Sequence, residues 1–285
     1  MKPELHIFGL EIPTFGLMVA LGVLCCVLIL IHLFRKVGAS EETIDKLIIV
    51  CALSGLMLAL GAMFFDALWH NIDEARIHGK FEWQWWGITF SGGIFTAIIT
   101  YFIIYYFIMK YERHHMFLHF DCIVIGICIA HAFGRIGCFF GGCCYGKVVP
   151  EGTFFSLMYP TDNGMENILP TQLYEAIFLL GLFFILLFLV KKNRGAWYLI
   201  GYNVFRFFLE YLRGDSRGAS PFGFLSPSQF MSIILFLFGL VLLFFRKQIE
   251  DFLMKRNVPL PEVPQEDEPT EAIETITVET EDSDV

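Results

Sequence analysis

Residues 131–146 read His131-Ala132-Phe133-Gly134-Arg135-Ile136-Gly137-Cys138-Phe139-Phe140-Gly141-Gly142-Cys143-Cys144-Tyr145-Gly146. They follow and overlap an apolar run, 120–138, of the length that crosses a bilayer, about 20 residues. A histidine, an arginine and three cysteines therefore stand where a hydrophobic segment is about to leave the membrane. If the helix continues this far, the spacings of four and three residues place His131, Arg135 and Cys138 on one face. Gly134, Gly137, Gly141, Gly142 and Gly146 disfavour continued regular helix and let backbone come close to a ligand. The expectation is a helix end that opens into a site.

Working outward, seven apolar segments emerge: 14–34, 46–66, 91–109, 120–138, 171–190, 196–212 and 226–245. With 56% hydrophobic residues and 32 phenylalanines, the chain is expected to be an all-α polytopic membrane protein with seven transmembrane helices. The first segment lacks a positive n-region and a small-residue cleavage site, so it reads as a span rather than a cleaved signal.

The formal charge of -9 belongs to the end of the chain. The last 29 residues, 257–285, hold ten carboxylates and no Lys or Arg, which leaves the remainder at +1. They are expected to form an acidic disordered cytoplasmic tail after a transmembrane domain over 1–256, and the charge gives no indication of a nucleic-acid partner. Lys and Arg near membrane ends stay cytoplasmic. Arg35, Lys36, Lys46, Lys110, Arg113, Lys191, Lys192, Arg194, Arg246, Lys247, Lys255 and Arg256 fall on one side, against Lys2, Arg76, Lys80, Arg135, Lys147, Arg213 and Arg217 on the other. This asymmetry predicts the N-terminus outside and the C-terminus in the cytoplasm, with the cysteine loop facing out.

A charge at the centre of a span costs about 2.5–3.5 kcal/mol on insertion scales and so calls for a partner or a ligand. Tyr202, Arg206 and Glu210 are spaced four apart and Arg213 follows, so the sixth segment carries a polar stripe. It can be a structural Arg206 to Glu210 pair or an anion site. The fifth segment opens Pro170-Thr171-Gln172-Leu173-Tyr174-Glu175, where Glu175 either complements the helix dipole or shares a cavity with Gln172 and the stripe. Ser91, Gly92 and Gly93 begin the third segment and read equally as helix packing or as a ligand contact.

Together Gly134-Arg135-Ile136-Gly137-Cys138-Phe139, the run 142–146, the Pro170 to Glu175 motif and Tyr202-x-x-x-Arg206-Phe207-x-x-Glu210-x-x-Arg213 resemble motifs of bacterial prolipoprotein diacylglyceryl transferases. Phe15-Gly16-Leu17-Met18 with Gly22, and Ser228-Gln229 with Ser232, match the first and last spans, so the similarity runs in order from Phe15 to Phe245. The resemblance implies a seven-span enzyme of the bacterial inner membrane whose site faces the outer leaflet. Such an enzyme moves the diacylglyceryl group of phosphatidylglycerol to the lipobox cysteine of a prolipoprotein signal peptide. The partners expected are these two substrates and membrane lipids; no cofactor, metal or nucleic acid is expected.

On this reading Arg135, Arg206, His131, Cys138 and Cys143 are the catalytic candidates. Ser91, Gly92, Gly93, Gln172, Tyr174, Glu175, Tyr202, Glu210 and Arg213 are the substrate-binding ones. Arginines suit a phosphodiester because they clamp it with two parallel hydrogen bonds. The chain departs from the family at the chemistry: Ser91 replaces a histidine, and 137–143 lack two asparagines and a glutamate. Cys138, Cys143 and Cys144 are open to three readings. They are packing residues or a disulfide; a thiol lowered in pKa by Arg135 and His131; or a metal site with His131, for which the usual paired Cys-x2-Cys spacing is missing. Alternatives for the whole chain are a membrane-embedded thiol redox or metal-binding protein on the same scaffold, and a non-catalytic phospholipid-binding protein. His114, His115 and His119 are expected to be solvated, and Cys25, Cys26, Cys51, Cys122 and Cys128 to be packing.

Overall fold

The computed structural model describes residues 4–7, 10–79, 81, 83–85, 87–161, 163–214 and 224–258. The acidic tail beyond Val258, and Lys2, Lys80 and Arg217 of the charge count, lie outside these. Seven helices are present among them: α1 (Thr14–Lys36), α2 (Glu41–His78), α3 (Phe90–Ile108), α4 (Met116–Phe140), α5 (Thr171–Phe184), α6 (Arg194–Leu209) and α7 (Pro227–Met254). Short hairpins, β1 (Glu4–Ile7) with β2 (Leu10–Pro13) and β3 (Leu157–Thr161) with β4 (Gly164–Ile168), are both antiparallel and correct the expectation of an all-α chain. The second is written in Asn163-Gly164, where Gly164 takes φ 110° at the turn.

Six helices are long and apolar enough to cross a membrane, and the chain is a multi-pass membrane protein. The sixth expected span is shorter than its apolar stretch. α6 has 16 residues and tightens into a 3-10 turn at Glu210–Leu212, where the polar stripe runs out. α5 likewise gives way to a single π turn, Ile185–Leu189. α2 runs well past the expected 46–66. The side chain of Ser40 accepts from the Thr43 N–H at its start, and Gly79, with φ 69°, ends it.

α4 is the centre: half of its apolar window is buried, more than in any other candidate span. It packs on α1 and α5, while α2 pairs with α3 and α6 with α7. These contacts are close because small residues sit in them, as membrane helices require when lipid offers no hydrophobic drive. A Cβ on Gly22 of α1 would lie 2.8 Å from the Phe133 Cβ, and one on Gly239 of α7 would lie 2.9 Å from that of Leu199.

α4 also runs through Gly134 and Gly137 to Phe140, past the point where the glycines were expected to stop it. Gly137 is needed for proximity: a Cβ there would meet Met18 at 3.1 Å and Phe15 at 3.2 Å. The chain turns only at Gly142, with φ 79°.

At the end of the bundle that holds the connections after α1, α3 and α5, the buried Asp121 ties three helices together. Its carboxylate accepts from the Gly195 N–H at the start of α6 at 2.7 Å and from Arg246 of α7 at 2.6 Å, a helix N-terminus held by an anion. His119 corrects a second expectation. It is buried, and its Nδ1 lies 2.7 Å from the Tyr105 hydroxyl.

Candidate active site

At the opposite end, α4, α5, α6 and α7 bring polar side chains together inside the bundle. His131, Arg135, Gln172, Glu175, Tyr202, Arg206, Ser228 and Gln229 are all buried. Glu175, with no exposed surface, is the hub. Its Oε1 accepts from the Tyr202 hydroxyl at 2.7 Å and lies 3.5 Å from His131 Nε2, while Oε2 lies 3.1 Å from Arg135 Nε. Arg135 Nε donates to His131 Nε2 at 3.3 Å, which the four-residue spacing on α4 makes possible. Phe90 closes one side, its ring centroid 4.1 Å from that of His131 and 5.8 Å from the Arg135 guanidinium carbon.

The α6 stripe faces protein, as the cost of exposing it to lipid demands. Arg206 Nη2 lies 2.8 Å from Glu210 and donates to Ser228 Oγ of α7 at 3.0 Å. The Arg206 to Glu210 pair of the structural reading exists, and Arg206 Nη1 is buried without a hydrogen bond. The same holds for His131 Nδ1, Gln172 Oε1, Ser91 Oγ and Ser232 Oγ. Each unsatisfied buried polar atom costs about 1–3 kcal/mol. Within the site a donor of Arg206, the second nitrogen of His131 and the amide oxygen of Gln172 make no hydrogen bond.

The cysteine loop adjoins this cluster. Gln172 Nε2 donates to the Cys143 carbonyl at 2.7 Å and Thr171 Oγ1 to that of Cys144 at 3.1 Å. Gly146 takes the chain between α5 and the end of α6, where a Cβ would lie 2.6 Å from the Leu212 carbonyl and 2.7 Å from that of Leu169. The backbone of Arg213, itself buried, pairs with Gly146. The β3–β4 hairpin covers the loop through Tyr159, whose hydroxyl donates to the Phe139 carbonyl at 2.6 Å. Burial pushes the Tyr159 phenol up to about 12.

None of the eight cysteines forms a disulfide. A hydrogen bond with Cys138 is the largest influence on the Cys143 thiol and lowers its pKa. Hydrogen bonding with Cys144 and burial outweigh it, so this thiol sits above its ordinary value, opposite to the expected lowering.

Some predicted residues fall elsewhere. Tyr174 turns to the loop and donates to the Phe155 carbonyl at 2.5 Å. Gly92 and Gly93 lie in the interface between α2 and α3, a Cβ on Gly93 falling 2.6 Å from the Leu58 carbonyl. Phe90, Thr171 and Ser228 were missed as site residues. An aromatic, a helix-opening threonine and a helix-opening serine carry no chemical signal of their own until three dimensions place them against an arginine or the loop.

Comparison with known proteins agrees with this architecture. The chain is 34% identical over 248 residues to the phosphatidylglycerol-prolipoprotein diacylglyceryl transferase of Clostridium tetani (strain Massachusetts / E88), covering 84% of this chain and 96% of that protein. It is 31% identical over 249 residues to transferase 2 of the same name from Clostridium perfringens (strain 13 / Type A), covering 83% and 92%. With the Acinetobacter baumannii (strain ACICU) enzyme it shares 28% over 267 residues, covering 89% and 96%. The family model for prolipoprotein diacylglyceryl transferase matches residues 3–245, from before α1 to within α7. The chain belongs to the prolipoprotein diacylglyceryl transferase family.

Proposed function

We propose that this protein transfers the diacylglyceryl group of phosphatidylglycerol to the lipobox cysteine of prolipoproteins at the outer half of the bacterial inner membrane. The observation that carries the reading is the buried cluster of Arg135, Glu175, His131, Tyr202 and Arg206, in which an arginine donor and the second histidine nitrogen make no hydrogen bond. Its names among relatives are those of enzymes acting on these two substrates.

In this reaction the acceptor sulfur forms a bond to the terminal glyceryl carbon. The bond from that carbon to the phosphate oxygen breaks, and its electron pair leaves with glycerol phosphate. Arg135 and Arg206 stabilise the phosphate charge as it develops, in a site shielded from water. Glu175 holds Arg135, His131 and Tyr202 in place, and Glu210 and Ser228 do the same for Arg206. The thiol proton goes to solvent, and His131, whose Nε2 accepts from Arg135 Nε so that Nδ1 carries the ring proton, offers that N–H to the phosphate. Gln172 and the Arg213 segment set the loop at the site's edge.

The same reading has α6 as a seventh span, the N-terminus outside and 257–285 as a cytoplasmic tail after one membrane domain, 1–256. Supporting it, α6 passes from the end where Asn193 meets Arg246 to the end where Arg213 meets Gly146. The test is transfer of label from phosphatidylglycerol to a lipobox peptide by the purified chain. Labelled cysteine peptide with no product on the serine peptide supports the reading, and no transfer to either rejects it.

A further inference from the structure

The three loop cysteines share a geometry that the transfer reaction as described does not use. The sulfurs of Cys138, Cys143 and Cys144 all lie within 4.8 Å of one another. Cys138 sits in the last turn of α4, and the other two are folded back over it. Gly142 takes φ 79°, the Cys143 N–H donates to the Cys138 carbonyl at 3.1 Å, and Cys144 adopts φ 62°, rare for a side chain larger than glycine. A left-handed cysteine costs on the order of 1–3 kcal/mol and persists where its surroundings over-determine it. Here the surroundings are Gln172 and Thr171, which bind the Cys143 and Cys144 carbonyls from α5. The loop is thus built, at a conformational cost, to aim three sulfurs at one point.

Tetrahedral zinc at about 2.3 Å from each sulfur needs sulfurs about 3.8 Å apart. The three sulfurs, within 4.8 Å of one another, are within about 1 Å of that spacing. Three thiolates on a dication leave one negative charge, and the Arg135 guanidinium one turn before Cys138 is within electrostatic reach of both Cys138 and Cys144. Three protein ligands also leave one position open, the arrangement of reactive rather than purely structural zinc. Cys143 is exposed, so that position is reachable from outside.

We propose that Cys138, Cys143 and Cys144 bind one zinc ion and that its open position takes the thiol of the acceptor peptide. The identity of that fourth ligand rests on the transferase reading. When the acceptor binds, a sulfur to metal bond forms, the sulfur to hydrogen bond breaks and the proton goes to solvent. The metal then holds the acceptor as thiolate, the form that attacks carbon, beside the arginines that hold the phosphate. His131 is not a ligand, since its nitrogens do not join the group of atoms that lie within 4.8 Å of one another.

The test uses the full chain in detergent. Reduced protein is expected to retain one equivalent of zinc after dialysis. On exchange for cobalt it should show sulfur-to-metal charge-transfer absorption, which falls by about a third in Cys143→Ser, one of three thiolates being lost. A lipobox cysteine peptide should raise that absorption in the unmodified chain, and its serine counterpart should leave it unchanged. Failure of the reduced wild-type chain to take up zinc or cobalt overturns the site, a result that needs no variant to fold. So does equal uptake by a chain with all three cysteines replaced by serine. Full-rate transfer of labelled diacylglyceryl by metal-free protein overturns the acceptor role while leaving the transferase reading intact. A cobalt spectrum that responds to the cysteine peptide in a chain that transfers no lipid supports the metal site and counts against the transferase reading alone.

Discussion

Glu175 is a fully buried carboxylate that three groups approach at once: the Arg135 Nε, the Tyr202 hydroxyl and the His131 Nε2. Removing the Tyr202 hydroxyl in Tyr202→Phe deletes a hydrogen bond to a charged group and should lower stability by about 1.5–3 kcal/mol, read as a fall in the melting temperature in detergent. The arginines should behave differently. Arg135→Ala and Arg206→Ala are expected to lower transfer by about 100-fold or more while folded yield is kept, with Lys rescuing only in part because it lacks the planar two-pronged contact. Equal loss of folded protein in both would assign them a structural role. These residues were legible in the sequence because charge inside an apolar run has few explanations. Phe90 and Ser228 were not, since a phenylalanine among 32 and a serine opening a helix differ from ordinary packing and capping only through what they touch.

Among the elements, the small-residue contacts give sharp expectations. Gly93→Ala places a methyl 2.6 Å from the Leu58 carbonyl and should cost about 1–3 kcal/mol by forcing α3 off α2, whereas Gly181→Ala, with nothing within 4 Å, should be neutral or stabilising. Thermal unfolding of the two variants side by side separates packing from helix propensity. The β3–β4 hairpin has its own pH window. Tyr159 binds its proton more tightly when folded, so its contribution is complete below pH 10.0, the ordinary phenol value, and is lost as pH rises from there to about 12. Proteolysis of the 141–170 segment should rise across that window, and Tyr159→Phe should flatten the rise. Helix existence was readable from apolar length, but helix ends were not. α2 ends only at Gly79 and α4 passes through two glycines, because caps and neighbouring helices decide such boundaries and composition does not. The β3 to β4 hairpin sits in a stretch dominated by apolar helices and left only an Asn-Gly pair as its trace.

For the whole molecule, the twelve Lys and Arg that the sequence assigns to one side belong to the loops and helix ends at the Asp121 end of the bundle. The buried cluster around Glu175 lies at the other. Reporter fusions should therefore be active outside when placed at the N-terminus and inside when placed at the C-terminus, and truncation after Asn257 should leave insertion unchanged. An externally active C-terminal reporter would reverse the topology and move the site to the wrong face for exported substrates. The multi-pass helical class was legible because apolar length is an additive signal along the chain. The convergence of α4, α5, α6 and α7 on one site was not, since it depends on which helices pack together.

The short α6 has a mechanical consequence for the lipid around it. Its 16 residues rise about 24 Å and the 3-10 turn over Glu210–Leu212 adds about 6 Å, together about the 30 Å of hydrocarbon in a typical bilayer, and Trp197, Val204 and Phe208 on the helix and Tyr211 in the turn are exposed. If α6 is the seventh span it only just crosses a typical bilayer, and a thicker one would have to thin against it at a cost of fractions of a kcal/mol per Å. Longer lipids would then have to distort before a headgroup came level with Arg206 and Glu210. Lengthening the acyl chains of reconstituted vesicles at constant headgroup composition should then slow transfer progressively. A rate indifferent to chain length would show that lipid reaches the site without help from membrane elasticity.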